Sequence, residues 1–443
     1  MSAVSKSCSR PPSVEECLRV IRAKNADLRA VLTPVDPPVR DASAPADAPL
    51  AGVPFVLKDT WDTAGIRTTG GSYRHRDRIP TESAPAYTAL LEAGAVLLGK
   101  SNIGDMAFSA ESDNHLIGTT RNPFDPLRTS GGSTGGGAAA VASGMAAFEW
   151  GTDFGGSIRI PAAFCGVVGL RLSAATWPVE KNHFPRVSPA FWPFLGMGPL
   201  ARDVAMCRRV VSAMTSLRRE PRIPPPTVTK DRVVVYPPDR FTRRAWPTFD
   251  RDAREALGSA GVTTEEAHGL PSASAAARVF DGYLCAHFGE FVGKEELSLR
   301  EGILAAVLGI ATGGRLDKRL HPKGATLFAL VALGRLTLFR DAAKAKRVLE
   351  DTRSAFQRVW DRGTLIVSPT TTVPASRHGR TAFDFRLLSF AKVGNLIDAT
   401  ALALPFGRFP GGMPRSLQIL GPPGSEDAVL DLAERLERAA PRR

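Results

Sequence analysis

Thr129-Ser130-Gly131-Gly132-Ser133-Thr134-Gly135-Gly136-Gly137 opens a stretch that runs through an alanine-rich segment to Gly151-Thr152-Asp153-Phe154-Gly155-Gly156-Ser157-Ile158-Arg159. Two serines on glycine-rich backbone, Ser133 and Ser157, stand 24 residues apart in it. Glycine has no Cβ to keep a substrate carbonyl away from the chain, and it takes φ/ψ values that other residues avoid. Successive free N–H groups on such backbone can converge on one point and stabilise a developing negative oxygen. A candidate nucleophile, a neighbouring hydroxyl and bare backbone are the parts an acyl-transfer enzyme needs.

Upstream, Gly52-Val53-Pro54-Phe55-Val56-Leu57-Lys58-Asp59 is an apolar run ending in a lysine. Burial disfavours the charged form of a lysine and lowers its pKa. A neutral amine accepts protons, so Lys58, Ser133 and Ser157 compose a relay. Lys58 deprotonates Ser133, which deprotonates Ser157 as it attacks a carbonyl. Ser–Lys arrangements are an accepted variant of nucleophilic catalysis.

These three segments resemble the amidase signature family, whose members use a serine, a cis-peptide serine and a lysine. The resemblance implies Ser157 as nucleophile, Ser133 as bridging cis serine and Lys58 as base. It also implies an oxyanion hole on the N–H groups of Phe154, Gly155, Gly156 and Ser157. Ala107, within Asn102-Ile103-Gly104-Asp105-Met106-Ala107-Phe108, matches a position whose backbone touches substrate. The likeness extends from about Pro54 to Glu437 and includes Leu365-Ile366-Val367-Ser368-Pro369-Thr370 and Leu417-Gln418-Ile419-Leu420-Gly421, in the family's order. It implies an α/β fold: a single large domain with a central mixed β-sheet flanked by helices. The implied activity is cofactor-independent hydrolysis of an amide or ester.

Two other readings of the serine loop are weaker. A phosphate-binding loop would end in Gly-Lys-Ser/Thr, which is absent here. Gly131-Gly132-Ser133-Thr134-Gly135 satisfies the G-x-S-x-G pattern, but that elbow needs a strand just before it. The preceding Arg121-Asn122-Pro123-Phe124-Asp125-Pro126 reads instead as a proline-broken loop.

Composition sets the outer bounds. At 443 residues the chain is long for one domain yet within the range of large α/β enzymes, and 43% hydrophobic residues supply a sizeable core. The five cysteines (Cys8, Cys17, Cys165, Cys207 and Cys285) are odd in number and widely spaced, without a CxxC pair. Neither a disulfide framework nor a zinc site is expected. The seven histidines form no close ligand pair such as H-E-x-x-H, so no metal is expected either. Met1-Ser2-Ala3-Val4-Ser5-Lys6 is followed by no apolar core, which argues against a secretory signal and makes cytoplasmic the default.

The 57 basic against 44 acidic residues give a net charge of +13, compatible with nucleic acid, an anionic membrane or acidic substrates. The excess falls mainly at 202–251 and 315–347, neither with a nucleic-acid motif interleaved with aromatics. A solvated basic face is the preferred reading of the first cluster, and no nucleic-acid partner is expected.

Along the chain, Ser13 is expected to cap a helix reaching about Leu32, with Glu15 and Glu16 in its first turn. A Pro/Ala/Asp-rich linker follows from Pro34 to Pro49, dividing a 1–49 segment from an amidase domain at 50–443. From Leu50 to about Val204 short apolar runs alternate with helical segments, as for strands covered by helices. Ala138 to Ala147 reads as a helix of small residues. Arg232 to Tyr236 reads as a strand, and Ser425 opens a final helix.

After Gly169-Leu170-Arg171 the family usually continues with a Pro-Ser/Thr-x-Gly-Arg turn. Here the chain runs through Trp177, Phe184, Phe191, Trp192 and Phe194, which suits an apolar pocket wall and ordinary core equally. Between 298 and 340, apolar runs at Gly302–Ala311 and Ala325–Phe339 flank Arg315, Lys318, Arg319 and Lys323. The longer run has 15 residues, short of the ~20 needed to span a bilayer. A buried helical cap over the substrate channel is preferred there to a hairpin lying on a membrane. Its placement resembles the hydrophobic cap of fatty-acid amide hydrolases.

The expected partner is a small amide with an apolar acyl or aryl group. Peripheral membrane contact and a homodimer are left open. One alternative is a glutaminase-type subunit of a tRNA-dependent amidotransferase, against which the altered stretch after Arg171 counts. The other is a non-catalytic lipid- or membrane-binding protein on the same fold, against which the intact Lys58, Ser133 and Ser157 set counts.

Overall fold

The computed structural model describes residues 10–179, 182–219, 227–228, 231–287, 321–322, 331, 341–381 and 388–439. The expected cap at 298–340 therefore lies almost wholly outside the described residues. So do residues 220–226, with four prolines among them.

Eleven described strands form one mixed sheet: β1 (Val31–Val39), β2 (Pro54–Lys58), β3 (Val96–Ser101), β4 (Phe148–Asp153), β5 (Val168–Arg171), β6 (Gly196–Ala201), β7 (Arg232–Val235), β8 (Thr263–Glu266), β9 (Leu365–Pro369), β10 (Thr400–Arg408) and β11 (Pro414–Gly421). Their spatial order is β1-β3-β2-β4-β6-β5-β10-β11-β9-β7-β8. β2 pairs in parallel with both β3 and β4, and β7 does so with β8 and β9. The strands between these groups pair antiparallel. β2, β3 and β4 are buried along their whole lengths, which is why the sequence shows near-continuous apolar runs there.

The described helices are α1 (Val14–Leu28), α2 (Pro85–Glu92), α3 (Gly135–Ser143), α4 (Arg159–Cys165), α5 (Val204–Ala213), α6 (Arg240–Ala245), α7 (Phe249–Ser259), α8 (Ala273–Ala286), α9 (Ala342–Trp360), α10 (Ser389–Leu396) and α11 (Glu426–Ala439). Successive strand residues point to opposite faces. Phe55, Leu57, Phe148 and Trp150 cluster with Leu90 of α2, Val210 of α5, Leu257 of α7 and Leu432 of α11. Val56 and Leu98 pack instead with Cys17 and Ile21 of α1 and Ala139 and Ala140 of α3. The Phe55 and Phe148 rings stack at 5.3 Å, a pair worth about 0.5–1.5 kcal/mol beyond its buried area. A further cluster joins Val234, Ile366 and Leu420 of the sheet to Phe280 of α8, Phe356 of α9 and Phe390 of α10. Among the described residues, no helix is long and apolar enough to cross a membrane.

Three local expectations are corrected. α1 starts on the expected Ser13 cap, with Glu16 N–H donating to Ser13 Oγ at 3.2 Å, but it ends at Leu28 rather than near Leu32. Arg29 turns left-handed, and Asn25 Oδ1 accepts from the N–H groups of Ala30 and Val31, which redirects the chain. The start of the expected linker is then strand β1, paired with β3. Its prolines fit because β1 is the edge of the sheet, where an absent N–H breaks no ladder. Finally, α3 spans Gly135–Ser143 rather than Ala138–Ala147. Left-handed Gly144 ends it, and Phe148 already belongs to β4.

Candidate active site

Lys58 is the last residue of β2 and is completely buried. Its Nζ donates to the Thr152 carbonyl at 2.9 Å and lies 2.9 Å from Ser133 Oγ. Burial pushes the Lys58 amine down to about 7, against the opposing pull of Glu149 and Asp153. An ordinary lysine stays charged to about 10.4, so burial brings this one much closer to neutrality.

Ser133 lies on the loop that leads into α3, and the Gly132–Ser133 peptide is cis. Ser112 steadies this turn: its Oγ donates to the Ser133 carbonyl at 3.0 Å and accepts from Gly135 N–H at 2.8 Å. Ser157, half-buried, follows β4 and precedes α4. Its carbonyl accepts from Thr134 N–H at 3.3 Å, which ties the two serine loops together. The strand–turn–helix context needed for an exposed nucleophile thus occurs at Ser157. Ser133 is preceded by loop, as the stretch Arg121 to Pro126 suggests.

The backbone before Ser157 is shaped by Asp153. Its carboxylate accepts from Gly156 N–H at 2.7 Å and Ile158 N–H at 3.1 Å. Gly156 has φ +107°, and a Cβ there would come within 2.6 Å of Ala391 on α10, so only glycine fits. Of the four amides implied for an oxyanion cradle, the Gly156 N–H is the one that Asp153 holds. Gly155 and Ser157 N–H groups form no hydrogen bond with described residues.

Asp153 is in turn held by Arg159, both completely buried, with Nε and Nη2 donating at 3.0 Å each. Burial favours the neutral acid, but the Arg159 guanidinium, Arg171 and Asn395 hold the Asp153 carboxyl well below the usual range. Arg159 also donates to Gln418 Oε1 and Asn395 Oδ1, both at 2.6 Å, linking β11 and α10 to the loop. Arg159→Met should leave Asp153 as an unpaired buried charge and cost about 3–5 kcal/mol in urea unfolding. The Asp153→Asn, Arg159→Met double variant should lose less than the sum of the singles. Additive losses would mean that the pair is not coupled.

Ala107 sits on an adjacent loop, in a short turn over Asp105–Ala107. Met106 and Ala107 are both left-handed, at φ +54° and +56°. Each such non-glycine residue costs about 1–2 kcal/mol, a cost that the surrounding packing holds in place. The same loop reaches the glycine loop through Ser112 N–H, which donates to the Gly131 carbonyl at 3.0 Å.

The aromatic stretch from Trp177 to Phe194 divides. Trp177 is core, donating through Nε1 to Glu426, and Phe184 packs beside His75 and under Arg78. Phe191 and Phe194 approach Phe154 edge-on at 6.0 and 6.3 Å. Phe280 of α8 joins them at 5.5 Å from Phe154, and Phe191, Phe194 and Phe280 are all buried in one core cluster against which Phe154 packs. Phe280, Asn395 and Glu149 were not anticipated from sequence, because each reaches the site through sheet register or helix packing.

Comparison with known proteins bears on the family and the fold. The Amidase family profile matches residues 13–430. The A-subunit of glutamyl-tRNA(Gln) amidotransferase from Moorella thermoacetica is 32% identical over 426 residues, covering 88% of this chain and 83% of the relative. Its counterpart in Heliobacterium modesticaldum is 32% identical over 432 residues, covering 90% and 85%. Among solved structures, a bacterial aryl acylamidase of the amidase signature family superposes with TM-score 0.74 at 21% identity, covering 97% of this chain and 92% of the other. A 6-aminohexanoate cyclic dimer hydrolase gives TM-score 0.73 at 24% identity, covering 97% and 93%. With a profile match over nearly the whole length on a fold that these structures share, the chain belongs to the amidase signature family.

Proposed function

We propose that this protein hydrolyses a carboxylic amide through an acyl-enzyme on Ser157, with Ser133 and Lys58 relaying protons. The observation that carries this reading is a completely buried lysine, pushed toward neutrality, within hydrogen-bond distance of a serine hydroxyl. As Ser157 Oγ attacks the carbonyl, its proton passes to Ser133 and the Ser133 proton passes to Lys58. The tetrahedral oxyanion rests on the N–H groups of Gly155 and Ser157, a device that lowers the barrier by stabilising charge formed only at the transition state. Lys58 then returns the proton through Ser133 to the leaving amine. Water attacks the ester by the same path in reverse roles, releasing the acid and restoring Ser157.

Phe154, partly exposed two residues before Gly156 and backed by the buried rings of Phe191, Phe194 and Phe280, supports an apolar acyl or aryl group in the substrate. Each buried CH₂ contributes about 0.8 kcal/mol, roughly fourfold in affinity. Lengthening the acyl chain from about two to eight carbons should raise kcat/KM steeply before a plateau, measured on a series of anilides. A flat or falling profile would rule out the apolar substrate and leave the hydrolase reading standing.

The identity to amidotransferase subunits favours a second reading, in which the amide is glutamine and companion subunits take the ammonia. Co-purification of such subunits, with glutamine hydrolysis dependent on them, would establish it.

A further inference from the structure

Glu149 stands on the strand beside Lys58, and the relay does not use it. In the sheet register Glu149 is opposite Val56, and Ser101 is opposite Lys58. Residues two apart on a strand share a face, so Lys58, Ser101 and Glu149 lie together on the side covered by α3. The Ser101 hydroxyl donates to Glu149 Oε1. Glu149 Oε2 is buried with no hydrogen-bond partner among the described residues.

The helix above is cut away for this carboxyl: a Cβ on Gly137 would sit 1.2 Å from Oε2. Glycine in a helix and an orphaned buried oxygen are both destabilising. Both are kept at one spot, next to the base. Such groups call for an explanation beyond packing.

We propose that Glu149, anchored on Ser101, is a positioning residue that sets the pH at which Lys58 becomes an amine, the two buried side chains titrating as a pair. This inference rests on the reading of Lys58 as base. Burial pushes Glu149 up to about 8, with the Ser101 bond and the Lys58 charge opposing. Around neutral pH the pair holds one proton between them: with it on Glu149 the Lys58 lone pair is free for the Ser133 proton, and with it on Lys58 the carboxylate favours the ammonium, which cannot accept one.

The other titratable groups near the pair are held in fixed states. Asp153 stays ionised against Arg159, and burial together with the Lys58 charge holds His183 neutral, down to about 3. α3 and β6 carry no titratable side chain. Lys100 points elsewhere, donating to Trp61, Thr63 and Thr68.

The test is the pH dependence of kcat/KM and of the rate of fluorophosphonate labelling in Glu149→Gln, which keeps the side-chain shape and removes its titration. The acidic limb should move about one unit to lower pH, leaving the variant about tenfold faster than the parent below the limb. Ser101→Ala, which releases the carboxyl from its anchor and keeps it neutral to higher pH, should shift the limb the same way by less. A limb unmoved in both variants overturns the proposal, as does a uniform loss of rate at every pH. The parent limb must also disappear in Lys58→Met. If it persists there, the base assignment itself fails. If it disappears there but stays put in Glu149→Gln, only the role of Glu149 fails.

Discussion

Ser157→Ala should abolish covalent labelling by a fluorophosphonate probe and lower amide turnover by roughly 10⁵-fold, as the loss of a catalytic nucleophile does. The reason is local. Ser157 joins a serine hydroxyl to backbone N–H groups not bonded within the described structure, at the end of a strand and the start of a helix. Removing the hydroxyl leaves Asp153, Arg159 and the loop they hold unchanged, so folding should survive and only chemistry should be lost. Labelling retained in Ser157→Ala but lost in Ser133→Ala would transfer the nucleophile to Ser133.

Lys58→Met should lower kcat/KM by about 10³-fold at neutral pH, within the range for loss of a general base. Methionine fills the same apolar slot, so the loss is not one of packing. The sign of the pH dependence follows from the depressed Lys58. The amine predominates above about pH 7 and the ammonium below it. The parent enzyme should therefore lose about tenfold in kcat/KM per pH unit below that point. In Lys58→Met this limb should vanish, with some activity recovered at high pH where hydroxide substitutes for the amine. A pH profile identical to the parent's would remove Lys58 from the mechanism.

Much of the site is legible in the chain because its chemistry is bound to local sequence. An oxyanion cradle needs glycines in a row, and Gly155-Gly156-Ser157 has them next to each other. The burial of Lys58 follows from the apolar run that ends in it, a strand covered on both faces. The strand at Val96 and the helix before it are bracketed by Pro85 and Gly94, and the structure places them there.

Other elements were hidden because their state depends on distant partners. Val31–Val39, with its three prolines, has a linker's composition, and only its position at the sheet edge makes it a strand. The helix α3 begins in glycines of poor helix propensity, and packing against the sheet overrides that preference.

The reacting groups, the family and the alternation of strands and helices can all be read from the chain, since each is written in residues close together or in a motif's own order. Their meeting points cannot. Lys58 and Ser133 are 75 residues apart and meet at 2.9 Å only because β2 ends beneath the loop that opens α3. Asp153 and Arg159 are read as a fixed pair only when Asn395 and Gln418 arrive from the far end of the chain. Glu149 acquires its relation to Lys58 from strand register alone, a quantity that no local pattern in this chain encodes.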